Sequence, residues 1–480
     1  MKVSIRRMDG ETGVSEMKEL SYEEIIEKCK MAIDGIKRKD FYIDVLYDGS
    51  SVTRISKSRS EENFVMRPKL EGLVVRAYKA GVWREYGLQD LGELPQAVER
   101  LKKYTAPVRD PVELQKFESW KINKEIKGKL PPEDIPINEK AQAVENIFNE
   151  LQQADVRVIN PIVVYYDHIS ERIFLNNEGC TLRQKIPRTR IFIQPIVKEG
   201  NRVEFDYLSK SGEVGFELVN SITRDDIQQV VNDSIDLLKS EKAPSGTFPV
   251  ILDPDMAGLI AHESFGHGLE ADQILRGRSY LEKYLNKRVA SELCVICDSP
   301  VVKENIGSYF FDDEGIRAKK TVLVENGIFK NVIHDRYTAS AMKLPAHGNG
   351  RRESYANKLH VRMTNTFFEA GNWKLEEMLE GIKRGVMLIR GYFGMEDPLA
   401  GGMQVTSKKG YLIENGEQTK LLGTIALSGY VLDVLTSIDA VSEGLIRYHG
   451  GTCGKGHEDY VPVTTGGPYL RAQRAVVSPG

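Results

Sequence analysis

The chain has 480 residues, a net charge of −3 and 28% charged side chains, a length that calls for two or three domains with substantial cores. The near-neutral balance lacks the basic footprint of nucleic-acid binding, and no uncharged apolar run reaches the roughly 18 residues of a membrane span. The start, Met1-Lys2-Val3-Ser4-Ile5-Arg6-Arg7, has no apolar stretch behind it, so secretion is not expected; 5 scattered cysteines suit reduced thiols in the cytoplasm.

Ser21-Tyr22-Glu23-Glu24 is a capping box that opens a helix running to about Asp34, with Gly35 as its stop. Strand-like runs follow at 41–47, ending at Asp48-Gly49, and at 70–77 and 81–86. Residues 98–103 and 141–151 carry helical periodicity, 156–166, 172–175 and 188–197 read as strands, and 223–242 reads as a second capped helix. The small, polar Lys242-Ala243-Pro244-Ser245-Gly246-Thr247 reads as a linker. It divides the chain into an N-terminal scaffold or substrate-shielding domain, 1–243, and a catalytic domain, 247–480, that holds every candidate for chemistry. The fold class expected is α+β, with mixed or antiparallel sheets and packed helices in each domain. Cys29 lies on the first helix and Cys180 in a strand–loop region. Cys294-Val295-Ile296-Cys297 is a lone CxxC within an apolar run, which reads as a buried strand with two inert thiols.

The chemistry concentrates in Ala261-His262-Glu263-Ser264-Phe265-Gly266-His267. Two imidazoles and a carboxylate this close are what a hydrolytic zinc site needs, but the zincin pattern is H-E-x-x-H and this one is a residue longer. On a regular helix, at about 100° per residue, His262 and His267 would stand roughly 140° apart. A π-turn of about 4.4 residues returns them to one face, and Gly266 makes that distortion easy. Asp253-Pro254-Asp255 supplies an N-cap, an N1 proline and a first-turn acid ahead of the motif. Beyond it, Glu270 and Asp272 are either carboxylates that orient the imidazoles or solvated surface acids.

A catalytic zinc takes three protein ligands and keeps one open position. The third ligand must come from His334, His347, His360, His449, His457, a carboxylate or a cysteine. Cys453 stands out because His449-Gly450-Gly451-Thr452-Cys453-Gly454-Lys455-Gly456-His457 is a glycine-dense segment in which Lys455 and a metal would both favour the thiolate. This segment is not a phosphate-binding P-loop, which would need Gly in place of His449 and Ser or Thr in place of Gly456. Gly348-Asn349-Gly350-Arg351-Arg352-Glu353-Ser354-Tyr355 joins a turn to two cations and a phenol. Arg351, Arg352 or Tyr355 could grip a peptide carboxylate or steady an oxyanion; the plainer reading is an Asn-Gly turn with a solvated basic edge.

The motif run His262 to Glu270, then Gly348 to Tyr355, then Arg362-Met363-Thr364-Asn365-Thr366, and finally Cys453-Gly454-Lys455 with Val461-Pro462-Val463 together resemble the TldD/PmbA family of metallopeptidases, specifically its catalytic TldD branch. The resemblance covers about the C-terminal half; the N-terminal half is similar only in length and rough pattern. It implies one Zn2+ per chain held by His262, His267 and Cys453, whereas the PmbA (TldE) branch lacks the motif and serves as a non-catalytic partner. It also implies a dimer, either of two copies or with a TldE/PmbA-type chain. The dimer would enclose a cavity that admits unfolded or short peptides, which could pair there with a strand edge. After Cys453-Gly454-Lys455 the family often reads Asp-Gly-Gln, where this chain has Gly456-His457-Glu458-Asp459. His457 joins Arg351, Arg352 and Tyr355 as a candidate substrate-binding residue.

The activity expected is zinc-dependent peptide-bond hydrolysis in the cytoplasm, with zinc acidifying a water and Glu263 moving its proton to the leaving amine. The alternatives are a zinc amidohydrolase acting on small molecules and a non-catalytic scaffold with a structural zinc, in which His457 would be a fourth ligand. Glu263 beside His262 speaks against the scaffold, since a structural site has no use for a base.

Overall fold

In the computed structural model of the protein, which describes residues 20–39, 41–104, 110–444, 446–456 and 459–480, two long antiparallel hairpins organise the N-terminal half. Strands Tyr42–Lys57 and Glu62–Lys79 form one, and Val158–Asn176 and Thr181–Glu199 the other. Pairing of 42–57 with 158–176 joins them into an eight-stranded sheet. Helices Tyr22–Ile33 and Leu94–Lys103 pack on one end of this sheet, and Ile137–Ala154 and Arg224–Leu237 on the other. The first helix carries the expected capping box on Ser21 and Glu24, and Gly35 follows it with φ +73°.

Most elements run longer than expected, and three boundaries move for a polar reason. Asp48-Gly49 is not a turn: the strand continues because Asp48 is buried against Arg172 and accepts the Tyr355 N–H. The runs at 156–166 and 172–175 fuse into one strand. Its polar middle stays in the ladder because Asp167 accepts from Lys140 Nζ at 2.6 Å and from the Tyr165 hydroxyl at 2.7 Å. The helix capped by Thr223 ends at Leu237 rather than at 242, in a tight turn through Ser240.

In the C-terminal half, strands Gly246–Leu252, Arg384–Glu396, Gly402–Glu414, Ile425–Tyr430 and Leu470–Pro479 pair in a closed ring. A separate six-stranded sheet includes Ile296–Asp298, Asn365–Phe368, Asp459–Gly467 and, at its edge, Arg447–Lys455. The chain leaving Leu252 enters a helix that fills the space between ring and sheet. Met256, Ala257, Ile260, Ala261 and Phe265 share one core with Val386, Leu388, Cys453 and Val463. The protein is thus α+β, with mixed sheets and packed helices. The halves meet across buried polar contacts: Arg76 lies between Asp44 and Glu314, Arg336 on Glu178, and Trp120 Nε1 donates to Gly315 O at 3.1 Å. No helix among the described residues is long and apolar enough to cross a membrane.

Candidate metal centre

The helix that carries the motif starts as the sequence predicts. Asp253 caps it by accepting the Met256 N–H at 2.9 Å, and Pro254 occupies its first turn. After Leu259 the helix widens into a π segment, Ile260–Gly266, and then tightens into a 3-10 turn, His267–Leu269. The wide turn demanded by the five-residue step from His262 to His267 is therefore present. It brings the two rings to 5.3 Å between centroids at 82°. The reason for glycine at 266 is different from the one expected. Gly266 has ordinary helical angles, φ −62° and ψ −42°; a Cβ there would run into Met363 Sδ. The glycine makes room for the neighbouring Arg362–Thr366 block rather than relaxing the backbone.

Cys453, on the edge strand, meets the helix from the other side. Its Sγ lies 3.6 Å from His267 Nε2, and one ligand atom from each of His262, His267 and Cys453 lies within 4.8 Å of the others. Among the described residues this is the one cluster of three or more His, Cys, Asp or Glu side chains with metal-holding geometry. His262 is 1% exposed and neither of its ring nitrogens has a hydrogen-bond partner. A buried imidazole without a partner is costly, and two imidazoles with a thiolate are a donor set suited to zinc. The residues therefore fit the metal. Burial raises the Cys453 thiol, but the two imidazoles outweigh it and bring it down to about 4. Burial in turn opposes charge on both imidazoles, yet the thiolate lifts His262, and the thiolate with Glu270 lifts His267 well above the usual range.

Behind the donors stands a supporting layer. Glu270 Oε1 lies 3.6 Å from His267 Nδ1, and Glu270 Oε2 accepts from Lys455 Nζ at 2.8 Å. Lys455 also donates to Asp272 Oδ1 at 2.8 Å and to Val361 O at 2.9 Å. Burial works against the Glu270 charge, but Lys455 and His267 hold it down to about 2. Since Cys453 and Lys455 lie two apart on one strand, this ammonium ties the thiolate strand to the turn that carries His267. Glu270 and Asp272 are thus paired with the site and not solvated acids. Arg362 Nη2 donates to the Cys453 carbonyl. Asp298, which the sequence reading passed over, is fully buried and accepts from Thr364 N, Thr364 Oγ1, Thr366 Oγ1 and Asn349 Nδ2. The alternate threonines at 364 and 366, on either side of Asn365 at the start of a strand, were the signal for it.

Glu263 lies on the open side, its side chain 31% exposed, with Oε2 3.8 Å from His267 Nε2. Strand Arg384–Glu396 passes over it: a Cβ at Gly394 would sit 3.0 Å from Glu263 Cβ and Cγ. Two residues on, Glu396 has both carboxyl oxygens buried and without hydrogen-bond partners. Burial pushes that carboxyl up to about 8 while His267 pulls the other way. Nothing in the sequence singled out Glu396.

The structure does not bring the Gly348–Tyr355 residues into the donor set, and their edge is not solvated. Arg351 donates to Met363 O at 2.6 Å and Pro462 O at 2.7 Å; Arg352 donates to Asn357 O at 2.8 Å and Glu85 at 3.0 Å. The Tyr355 N–H bonds Asp48, and its ring is packed so closely on Gly72 that a Cβ there could not fit. His457 lies outside the described residues. His334, His347, His360 and His449 stand apart from the cluster; His347 bonds Thr321 Oγ1 at 2.8 Å and His449 pairs with Asp255. Cys294 and Cys297 are buried free thiols pushed up to about 12, inert as expected.

Residues 245–479 match the family described as PmbA/TldA metallopeptidase C-terminal domain, and residues 130–240 match its central domain. A metalloprotease of Methanocaldococcus jannaschii is 35% identical over 410 residues, 85% of this chain and 85% of that one. The chain belongs to the PmbA/TldD metallopeptidase family. Another relative, named a zinc metalloprotease TldD homolog, from Saccharolobus solfataricus, is 29% identical over 367 residues, 75% of this chain and 79% of its own. TldE from Thermococcus kodakarensis shares the fold, with a TM-score of 0.71 over 95% of this chain and 99% of that one at 18% identity. All three candidate donors, His262, His267 and Cys453, fall within the matched C-terminal segment.

Proposed function

We propose that this PmbA/TldD member is a zinc-dependent peptidase of the TldD type, acting on unfolded or short flexible peptides. The observation that carries this reading is the convergence of His262, His267 and Cys453 on one point with Glu263 beside them. Three protein donors suit a catalytic rather than a closed structural site. Zinc held there supplies Lewis acidity toward the scissile carbonyl and an acidified water. Glu263 takes the proton of the attacking water and returns it to the leaving amine; its partial exposure lets it meet both. Glu270 and Lys455 orient His267, and Arg362 fixes the backbone of Cys453. Arg352 and Tyr355 hold the two halves together through Glu85 and Asp48, and Arg351 braces the segments around the site through Met363 O and Pro462 O. We read residues 1–243 as the shielding domain and 247–480 as the catalytic one. A dimer of two copies, or with a TldE/PmbA-type chain, encloses the site in the cytoplasm and keeps folded proteins out.

The experiment that tests this combines zinc per chain, in the intact protein and in Cys453→Ala, with hydrolysis of unstructured peptides. About one zinc per chain, lost on substitution, and peptide cleavage would support the reading. Cleavage confined to small amides would move the protein to the amidohydrolases. No zinc in the intact protein, even after metal is added back, would overturn the enzyme assignment.

A further inference from the structure

Strand Arg384–Glu396 forms one wall of the metal centre. Gly391 lies against Leu259 and Gly394 against Glu263, so the strand follows the motif-bearing helix closely. Side chains alternate along a strand, so Glu396 faces the same way as Gly394. Its Oε1 lies 3.3 Å from the place a Cβ would take on Gly268, the residue after His267. Glu396 is not one of the three metal donors, and both its oxygens are shielded from solvent without a partner. Its electrostatic neighbours are His267, Glu270, Glu263 and Asp397, three of which are carboxylates. The Tyr280 hydroxyl is also buried and unpartnered, and the charge of Glu396 acts on it.

Tyr280 also lines a cleft of about 600 Å³, together with Ser279, Tyr284, Leu399, Gly401 and Tyr430. The Ser279 hydroxyl donates to Gly268 O at 2.6 Å, so the cleft and the metal-binding turn share a wall. A buried carboxyl and a buried hydroxyl left without partners are costly until a ligand answers them. A protonated amine can answer both, with three N–H donors and a charge that favours the ionised Glu396 carboxyl against its burial.

We propose that Glu396, with Tyr280 beside it, is a subsite for an ammonium group of the substrate, at the edge of the peptidase site argued above, on which reading it rests. Two sources share this chemistry: the free α-amine of a peptide and a lysine side chain.

The test uses the full-length, zinc-loaded protein carrying Glu263→Gln, so that peptides bind uncut. The probes are a short unstructured peptide without lysine, free or N-acetylated, and acetylated versions with lysine at each position in turn. Calorimetry should show the ammonium-bearing peptides binding about tenfold or more tighter than the neutral one. Adding Glu396→Gln should remove that preference and leave the neutral peptide unchanged. Tyr280→Phe should remove part of it, and Glu396→Asp should keep part of it. Preference for the free N-terminus identifies the α-amine; preference confined to lysine peptides identifies the side chain. Equal binding of charged and neutral peptides, no binding of either, or an equal effect of Glu396→Gln on both would overturn the subsite. Hydrolysis by the protein with Glu263 intact is read separately. Amine preference without any cleavage would sink the peptidase reading and leave the subsite standing; cleavage without preference would do the reverse.

Discussion

Two buried polar regions flank the C-terminal half, and they differ in whether their charged side chains find at least one partner in the protein. In the seam between the halves, Arg352 reaches Asn357 O and Glu85 and Arg76 is clasped by Asp44 and Glu314, while Arg351 close by reaches Met363 O and Pro462 O. At the metal centre, by contrast, His262 is buried with both nitrogens unpartnered, and so is the Glu396 carboxyl nearby. Buried polar groups in native proteins are nearly always paired. A charged side chain the fold has paired is scaffold even where one of its atoms, such as Arg352 Nε, stays unpartnered; an imidazole or carboxyl with no partner at all is placed to receive a ligand. Residue type alone does not separate the two: arginines and a tyrosine beside a glycine turn look as chemical as histidines beside a glutamate.

The sharpest way to break the contrast is to remove Cys453. Cys453→Ala should lose most of its zinc, measured by elemental analysis after dialysis, and peptide cleavage should fall to background. Full zinc retention would show that the cluster is not the metal centre. Glu263→Gln comes next. Zinc should stay at the wild-type level while kcat falls about 10²- to 10⁴-fold, the usual contribution of a positioned base; undiminished turnover would remove Glu263 from the mechanism. The seam predicts the opposite pattern. Arg76→Met leaves Asp44 and Glu314 buried without their cation and should cost about 3–5 kcal/mol of stability by urea unfolding, with zinc per chain unchanged. Loss of zinc at full stability would mean that the seam is not merely structural.

A smaller effect should come from the layer between the two regions. Lys455→Met frees Glu270 from its main partner and lets the His267 turn drift, so zinc affinity should weaken about 10- to 100-fold. Competition with a fluorescent chelator measures this directly. An unchanged affinity would place Lys455 with the seam.

Periodicity and spacing carried much of this from the sequence alone. The Ser21 and Thr223 capping boxes, the Asp253 N-cap and the π-turn implied by the extra residue between His262 and His267 are local features, fixed by backbone hydrogen bonding within a few residues. The closure of the C-terminal ring and the fusion of two strands across Asp167 were not legible, because each depends on partners far away in the chain, such as Lys140 for Asp167. The same limit applies to the site. Cys453 was reachable as a thiol in a glycine-dense segment and through the family resemblance. Asp298 and Glu396 are single acids on strands, and only the fold reveals that one is saturated with donors and the other has none.

The finest discrimination comes from pH. The donors bind metal only when deprotonated, so zinc affinity reports which of them still carries a proton. Cys453 has a thiol held near 4, against an ordinary value of 9.0, so its thiolate is ready throughout the neutral range. The imidazoles are shifted the other way: His262 stands above its ordinary 6.5 and His267 well above it. A raised value means the metal-free protein holds those protons to higher pH. The imidazolium–thiolate contact therefore stabilises the metal-free fold from about 4, where the thiolate forms, through the ordinary histidine range, and is lost as pH rises through the folded imidazole values. Zinc uptake runs in the opposite sense, because each imidazole must give up its proton. Affinity should climb with pH above the ordinary histidine value, and calorimetry in buffers of different ionisation enthalpy should show protons released with each zinc. A profile that instead follows a thiol titrating near 9 would mean that the two imidazoles do not hold Cys453 as a thiolate, and the charge arrangement assigned to the centre would fail with it.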